Sequence, residues 1–201
     1  MWIAISGPPG TSKNRLAEIL ARVEGYTYLE ELPDRVDQSW FLREVNHLSK
    51  RSILQSTIEA GRKQGNFLTV RTIWDGPEVF AKVGLKREAI TEEEFGIINL
   101  IYKQLTEEAI SPPDAFIYLR CESVMSSLNR MALQGRSLPE ETFMEMCAEY
   151  DRYRQKLAVP VIEIAHNDNF DAIVLEAQYA LQSLKTTGLS DFTIWKKGIF
   201  K

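Results

Sequence analysis

A glycine-punctuated loop near the N-terminus carries the residue types best suited to chemistry. The stretch from Gly7 to Asn14 follows a short apolar run and precedes a helical pattern. In such a layout backbone N–H groups, a helix N-terminus and the Lys13 ammonium point toward phosphate groups. We therefore interpret the stretch as a phosphate-binding loop. Its members are Gly7, Pro8, Pro9, Gly10, Thr11, Ser12, Lys13 and Asn14.

Two positions of this loop depart from the pattern G-x-x-x-x-G-K-[ST]. Ser12 replaces the second glycine, and its β-carbon can force the loop out of the geometry that glycine permits. Asn14 stands where a hydroxyl would bind Mg²⁺, so its amide oxygen is the candidate metal ligand of the loop. The alternative interpretation is an ordinary strand-turn-helix corner with Lys13 in solvent.

Acidic and basic side chains follow the next two predicted strands. Glu30 and Glu31 come after a short strand, and Arg71 comes directly after an apolar one. Ligands of open α/β sheets bind at the carboxyl ends of the strands. We therefore expect one of the two glutamates to be a general base and Arg71 to reach a phosphate. The sequence leaves open which glutamate faces the site, and a solvated acidic turn is the alternative.

Strand and helix patterns alternate along the whole chain. The predicted strands cover residues 2–6, 26–29, 67–70, 115–119 and 159–164. The predicted helices include residues 39–63, 77–83 and 170–184, one helix opened by a Thr91–Glu94 capping box, and one capped by Ser137 with Glu140. This alternation predicts a three-layer α/β sandwich with a mostly parallel, five-stranded sheet.

Composition limits the partners and the compartment. The chain has 201 residues, 44% of them apolar, and a net charge of −4, which fits one domain and argues against nucleic acid as a partner. No run is long enough for a membrane span, and we expect no signal peptide because the phosphate-binding loop begins almost at once. Cys121 and Cys147 lack metal-ligand spacing, so we expect core thiols in the cytoplasm. We assign His47 and His166 to structure.

The order of these features resembles that of the deoxynucleoside kinase family, within the group that includes thymidylate kinases. The resemblance covers the chain up to about Leu184, which predicts a domain over residues 1–184 and a tail over 185–201. Glu30-Glu31-Leu32-Pro33 is similar to the family's Glu-Pro-Val stretch, and Val70-Arg71-Thr72 stands in place of a Glu/Asp-Arg-Ser motif. Arg130 and Arg136 match arginines of a lid around 130–138. Asn167 and Asp168 lie near the last strand, as in the family's adenine-side loop.

This resemblance implies a phosphate-loop fold and ATP-dependent phosphoryl transfer, with Mg²⁺, to the 5′ position of a deoxynucleoside or a related nucleotide. It implies Glu30 or Glu31, Arg71 and Lys13 as catalytic residues. It assigns Arg130, Arg136, Asn167 and Asp168 to the donor side and Trp74 and Asp75 to the substrate side. For an acceptor that carries a phosphate, Arg43 or Arg51 of the long predicted helix is a further candidate on the substrate side. For Asp75 it leaves open a contact with the base or an outer-shell contact with Mg²⁺. Pairing of two copies through helices is a further implication.

Three departures from the family pattern concern the metal and the phosphates. Asn14 lacks the loop hydroxyl, Val70 replaces an acid, and Gln134 replaces the middle lid arginine. One electrostatic donor in a transition state is worth roughly 3–4 kcal/mol, so the alternative is a degenerate, non-catalytic nucleotide-binding or structural subunit. A third interpretation, an AAA-type ATPase, rests on Gly-Pro-Pro-Gly-Thr, but no strand ends in the paired acids of such motors.

Overall fold

The structure is a computed structural model that describes residues 1–31, 38–107 and 111–187. Its five strands form one sheet in the order β2-β3-β1-β4-β5, and every neighbouring pair is parallel. The strands are β1 (Trp2–Ser6), β2 (Thr27–Leu29), β3 (Phe67–Val70), β4 (Ala115–Cys121) and β5 (Val161–His166). The predicted parallel α/β sheet is therefore confirmed.

Seven α-helices and one π-helical segment are seen within the described residues. They are α1 (Lys13–Glu24), α2 (Trp40–Gly61), the π-helical segment Gly76–Ala81, α3 (Lys82–Lys86), α4 (Glu92–Glu107), α5 (Val124–Leu133), α6 (Glu140–Lys156) and α7 (Phe170–Thr187). The predicted helix over 77–83 is thus a π-helical turn that continues into α3. The Thr91–Glu94 capping box is confirmed, because each residue's backbone N–H donates to the other's side chain.

Two predicted boundaries were wrong. Ser137 does not cap α6, since the residue before the helix is Pro139 and no side chain caps it. The last strand begins at Val161, two residues later than predicted. Pro160 has no N–H to give to the ladder, and only its carbonyl pairs, with Phe116 N.

Helices cover both faces of the sheet because successive side chains of a strand point to opposite faces. Ile3 and Ile5 of β1 belong to a buried cluster with α1 and α7. Phe116 and Tyr118 of β4 face the other way, where their rings meet Tyr153 and Tyr150 of α6. The result is the expected three-layer sandwich with a core on each side of the sheet.

The strand order places the functional region. The chain moves to one side of β1 for β2 and β3, and to the other side for β4 and β5. A crevice forms at the carboxyl ends of the strands where the direction changes, and ligands of such sheets bind there. The predicted phosphate-binding loop leaves β1 at this point.

The last helix extends slightly beyond its predicted end, and the domain limit at residue 184 stays a prediction. Helix α7 continues to Thr187, past residue 184. Most of the predicted tail, residues 188–201, and Leu32 and Pro33 of the acidic stretch lie outside the described residues. Among the helices that the structure describes, none combines the length and apolarity that a membrane crossing requires.

Candidate active site

The loop after β1 has backbone geometry that two glycines make possible. Gly7 has φ 139° and Gly10 has φ 73°. A β-carbon on Gly7 would lie 2.4 Å from the Leu119 carbonyl oxygen, and one on Gly10 would lie 2.4 Å from the Ser127 carbonyl oxygen. The loop therefore packs its backbone directly against β4 and α5.

Ser12 takes the left-handed conformation that a second glycine would adopt. Its φ is 56° and its ψ is 26°, and its side chain makes no capping hydrogen bond. Its carbonyl accepts the first helical hydrogen bond of α1, from Leu16 N at 3.0 Å. The loop thus reaches the helix N-terminus without the second glycine, at a cost of about 1–2 kcal/mol for a left-handed residue with a β-carbon.

Lys13 is folded back onto this loop. Its ammonium donates to the Pro8 carbonyl at 2.5 Å and to Thr11 Oγ1 at 3.2 Å. The residue is only 6% exposed. Burial, followed by the nearby charge of Arg71, lowers the pKa of Lys13 well below its ordinary value. The ammonium is therefore poorly compensated, which favours its pairing with an anion.

A cavity of about 610 Å³ opens beside the loop, and its described lining is strongly basic. The basic lining residues are Lys13, Arg15, Arg71, Arg130 and Arg136. The carboxylate of Glu31 and the imidazole of His47 lie at the same cavity, as do the exposed Asn14 and Gln134. Several cations and one carboxylate at the same cavity suit a polyanionic ligand that meets a proton donor.

Glu31, and not Glu30, faces this cavity. The Glu30 side chain is exposed, whereas that of Glu31 is 12% exposed and surrounded by cations. Arg51 Nε donates to Glu31 Oε1 at 2.8 Å, and His47 Nδ1 lies 3.2 Å from the same oxygen. Arg71 Nη1 lies 3.6 Å from Glu31 Oε2. Burial opposes ionisation, but Arg51, His47 and Arg71 together hold the pKa of Glu31 well below its usual range.

Arg71 is positioned by an unusual backbone conformation. Its φ is 63°, and its backbone N–H donates to the Ile5 carbonyl at 2.9 Å. The guanidinium lies 4.8 Å from the centre of the Phe80 ring. The turn directly after β3 therefore directs the arginine along the carboxyl edge of the sheet, between the phosphate-binding loop and Glu31.

The two predicted lid arginines, Arg130 and Arg136, lie in different surroundings. Arg130 Nε donates to the Gly10 carbonyl at 2.8 Å, and its other nitrogens reach Ser127, Asp168 and His166. Arg130 thus braces the phosphate-binding loop from α5. Arg136 follows a tight turn in which its N–H donates to the Met131 carbonyl at 3.0 Å, and this turn returns it to the cavity wall. Burial and the Arg130 charge lower the pKa of His166 to about 4, which keeps this imidazole neutral.

Three residues predicted on the substrate side lie elsewhere. Arg51 is 2% exposed and lies beneath Glu31 as its partner, so it is not a wall of the cavity. Trp74 lines a separate cavity of about 330 Å³ near Tyr153. Asp75 is fully buried, and Ser6 and Thr72 donate hydrogen bonds to both of its oxygens. Neither a base contact nor an open metal-water contact fits Asp75.

Asp168 and Asn167, in the turn after β5 that was predicted to lie on the donor side, both make contacts within the protein. Asp168 Oδ1 pairs with Arg130 at 3.1 Å, while its side chain remains 82% exposed. Asn167 Oδ1 accepts from Asn169 N at 2.9 Å, which closes a local turn. Neither residue lines the cavity as the structure describes it, so their role toward a donor nucleotide stays a prediction.

Sequence reasoning missed two residues of α2. His47 had been assigned to structure, yet it lies at the cavity beside Glu31. Glu44 is 2% exposed, and within the described part of the chain its Oε2 has no hydrogen-bond partner. Glu44, His47 and Arg51 are spaced i, i+3 and i+7, so they share one helical face. Polar side chains at this spacing were the signal that could have revealed them.

The described residues do not form a protein-held Mg²⁺ site. Val70, where the resemblance places an acid, is apolar and 3% exposed. Both oxygens of Asp75 are engaged, and Glu31 is held by cations. Asn14 offers one exposed amide oxygen. Nowhere in the described ranges do three or more His, Cys, Asp or Glu side chains gather as metal ligands do. This donor set suits phosphates held by cations and backbone amides.

The central strand, the glycine loop and the helix N-terminus beside this cavity define an α/β protein of the phosphate-loop class. The sequence model of the family described as "Deoxynucleoside kinase" matches residues 3–185. The chain therefore belongs to the deoxynucleoside kinase family. This membership does not support the ATPase-motor alternative.

Solved structures share the fold at low sequence identity. Deoxyadenosine kinase from M. mycoides with bound dATP superposes with a TM-score of 0.77 at 21% identity, over 91% of this chain and 100% of that one. The same enzyme with the products dCMP and a flexible dCDP gives a TM-score of 0.71 at 19% identity, and with dCTP 0.69 at 20%, both over 91% of this chain and 100% of that one. No curated protein sequence matches the chain.

Proposed function

We propose that this protein is a kinase that transfers a phosphoryl group from ATP to the 5′-hydroxyl of a deoxynucleoside or a closely related nucleotide. One observation carries the proposal. The Glu31 carboxylate and the Lys13 ammonium lie at the same cavity, with Arg71 close to Glu31 and electrostatically coupled to Lys13. A base, a phosphate ligand and a cation for the transferring group are the parts that this reaction needs.

The donor phosphates occupy the loop between β1 and α1. Backbone amides of the loop and the N-terminus of α1 point toward them. Lys13 releases the Pro8 carbonyl and the Thr11 hydroxyl and binds a phosphate oxygen instead. Arg71 and Arg136 neutralise charge on the transferring group, and Arg130 keeps the loop in place through Gly10.

The acceptor hydroxyl lies against Glu31. Its oxygen forms a bond to the γ-phosphorus of ATP while the bond from that phosphorus to the leaving oxygen of ADP breaks. The hydroxyl proton passes to a Glu31 oxygen. Because the transition state of phosphoryl transfer is loose, a base serves largely to orient the hydroxyl. A carboxylate whose pKa is held low by Arg51 and His47 is suited to this orienting role.

The acceptor class is supported by the neighbours of this fold. The M. mycoides enzyme is described with deoxynucleotides of adenine and cytosine, and a deoxynucleoside acceptor for this chain is proposed on that basis. A nucleoside monophosphate acceptor is a close variant. The free cysteines Cys121 and Cys147 support a reducing compartment such as the cytoplasm.

A homodimer formed through α2 and α4 is part of this proposal. Leu42 and Ile53 are eleven positions apart in α2, so they share a face, and they are 50% and 61% exposed. In α4, Ile97 is 40% and Leu100 is 67% exposed. Exposed apolar side chains on two adjacent helices are typical of a surface that a second copy covers.

A second candidate function is favoured by the replaced residues. Val70, Asn14 and Gln134 remove three polar or charged groups from the phosphate chemistry. A chain with these replacements can bind a nucleotide, or act as a structural subunit, without turnover. Such a protein would show no ADP formation with any acceptor.

An ADP-release assay separates the two functions. ATP and Mg²⁺ are supplied with a panel of deoxynucleosides and their monophosphates, and Lys13→Ala is compared with Lys103→Ala on the exposed surface of α4. If the protein is a kinase, we expect turnover with at least one acceptor. The turnover rate should fall about 100-fold or more in Lys13→Ala and should not change in Lys103→Ala. Absence of turnover across the panel would overturn the proposed function, and a thermal shift with ATP alone would then support the non-catalytic candidate.

A further inference from the structure

The buried carboxylate of Asp75 joins the two corners of the backbone that carry the candidate site. Ser6 Oγ donates to Asp75 Oδ1 at 2.6 Å, and Ser6 immediately precedes Gly7 of the phosphate-binding loop. Thr72 donates twice to Asp75 Oδ2, from its backbone N and from Oγ1, each at 2.8 Å. Thr72 immediately follows Arg71. One fully buried side chain therefore holds the ends of β1 and β3 in register.

The turn at Arg71 needs such support. Arg71 has φ 63°, and a left-handed residue with a β-carbon costs about 1–2 kcal/mol. Such a conformation persists where its surroundings over-determine it. On one side of the turn Arg71 N donates to the Ile5 carbonyl, and on the other Thr72 N donates to Asp75. Loss of the second bond would leave this side of the turn with only the longer backbone bond from Asp75 N to the Thr72 carbonyl, at 3.2 Å, among the described contacts.

The charge of Asp75 matches its surroundings. Lys13, Arg51 and Arg71 all lie within electrostatic reach of this carboxylate. A buried carboxylate is retained where cations and hydrogen bonds compensate the loss of water. Because all of the described hydrogen bonds that Asp75 accepts come from Ser6 and Thr72, the carboxylate joins groups of the protein and is not open to a ligand.

We propose that Asp75 is a positioning residue for phosphoryl transfer, which holds Arg71 in its left-handed conformation beside Glu31 and ties this turn to the phosphate-binding loop through Ser6. The expected effect on kcat rests on the proposed function. The expected effect on the conformation of Arg71 does not depend on it. It assigns to Asp75 neither a base contact nor a metal contact.

The test compares Asp75→Ala with Asp114→Ala. Alanine removes both acceptor oxygens of Asp75, whereas asparagine would keep one oxygen that accepts from Thr72. Asp114 is a matched control because its Oδ2 accepts from Trp2 N at 2.7 Å at the opposite end of the same strand, β1. For Asp75→Ala we expect kcat to fall about 100-fold, the effect of a misplacement of about 1 Å, with both KM values little changed. For Asp114→Ala we expect a lower melting temperature and an unchanged kcat. A fall in stability without a fall in kcat for Asp75→Ala would overturn the proposal.

A double-mutant cycle shows whether Asp75 acts through Arg71. If it does, Asp75→Ala adds no further loss of kcat to that of Arg71→Ala, because the loss of position is already contained in the loss of the side chain. Additive losses would contradict the proposal.

A crystal structure of Asp75→Ala provides a readout without turnover. We expect Arg71 to leave the left-handed conformation and its guanidinium to move away from Glu31. An Arg71 that keeps its φ in this variant would overturn the proposal, whatever the activity. If the wild-type protein turns over no acceptor, the proposed function fails, while this structure still decides the role of Asp75.

Discussion

Arg51 Nε donates a 2.8 Å hydrogen bond to Glu31 Oε1, so a fully buried guanidinium holds the carboxylate at the carboxyl edge of the sheet. The arginine supports the glutamate from below, and His47 touches the same oxygen from the cavity side. Within the described residues, the cation nearest to the second oxygen of Glu31 is the more distant Arg71, at 3.6 Å. This asymmetry gives a hydroxyl group one carboxylate oxygen to approach.

Glu31→Gln is expected to lower kcat about 100-fold or more, because a positioned base contributes 10²–10⁴-fold. The matched control is Glu30→Gln, which changes the neighbouring exposed residue and should leave kcat unchanged. Steady-state rates with the best acceptor measure both variants. Equal losses in the two variants, or a larger loss in Glu30→Gln, would contradict the assignment of the base to Glu31.

Ser12→Gly is expected to raise the free energy of unfolding by about 0.5–1 kcal/mol. Glycine removes the β-carbon from a left-handed residue, while the greater freedom of the unfolded chain offsets part of the gain. The Ser12 side chain makes no capping bond that would be lost. Urea unfolding measures the change. Ser12→Ala keeps the β-carbon and should not stabilise the protein, so equal gains in both variants would contradict the strain argument.

Glu44→Gln should change the pH dependence of stability. Burial raises the pKa of Glu44 to about 7, against the opposing charge of Arg51. Between its ordinary pKa of 4.5 and about 7 the folded protein binds more protons than the unfolded chain, so wild-type stability falls as pH rises through this window. The fall is about 3 kcal/mol at about 1.4 kcal/mol per pKa unit. The variant lacks this contribution.

Urea unfolding at several pH values between 4.5 and 8 tests this expectation. The stability of Glu44→Gln relative to the wild type should rise up to about pH 7 and then stay level. Glu18→Gln, at an exposed position of α1, is the control for the loss of a carboxyl group from the surface. Parallel curves for Glu44→Gln would show that this carboxyl titrates normally.

Leu100→Glu is expected to convert a dimer into monomers. A charge at this exposed position of α4 would be buried without a partner if a second copy covered the face. Sedimentation velocity measures the mass in solution. Leu175→Glu is the matched control, because Leu175 is an exposed leucine, at 53%, on α7 at the opposite face of the sheet. A wild-type protein that sediments as a monomer would refute the dimer.

Periodicity was sufficient to predict the fold. Strands buried on both faces read as continuous apolar runs, and the helices between them carry apolar residues on one side. Two of the errors lie at boundaries where a proline is present. Pro160 delays β5 and Pro139 occupies the position before α6, because proline lacks the N–H that a ladder needs and fixes its own φ.

The site was predictable only in part, because tertiary contacts decide which side chain reaches it. The phosphate-binding loop and Arg71 could be predicted because each directly follows an apolar strand pattern in the sequence. The choice of Glu31 over Glu30 depends on α2, which brings Arg51 and His47 to one of two adjacent carboxylates. The role of Asp75 depends on Ser6, 69 positions away. Contacts between residues so far apart along the chain produce no spacing pattern that the sequence alone would reveal.

The ammonium of Lys13 already has two partners within its own loop, Pro8 and Thr11. An incoming anion must therefore compete with internal hydrogen bonds and not with water alone. A small anion with one or two charges would make few contacts in exchange, whereas a triphosphate is long enough to reach the loop, the helix N-terminus and the arginines of the cavity wall. We therefore expect the free protein to bind a long polyphosphate chain in preference to inorganic phosphate.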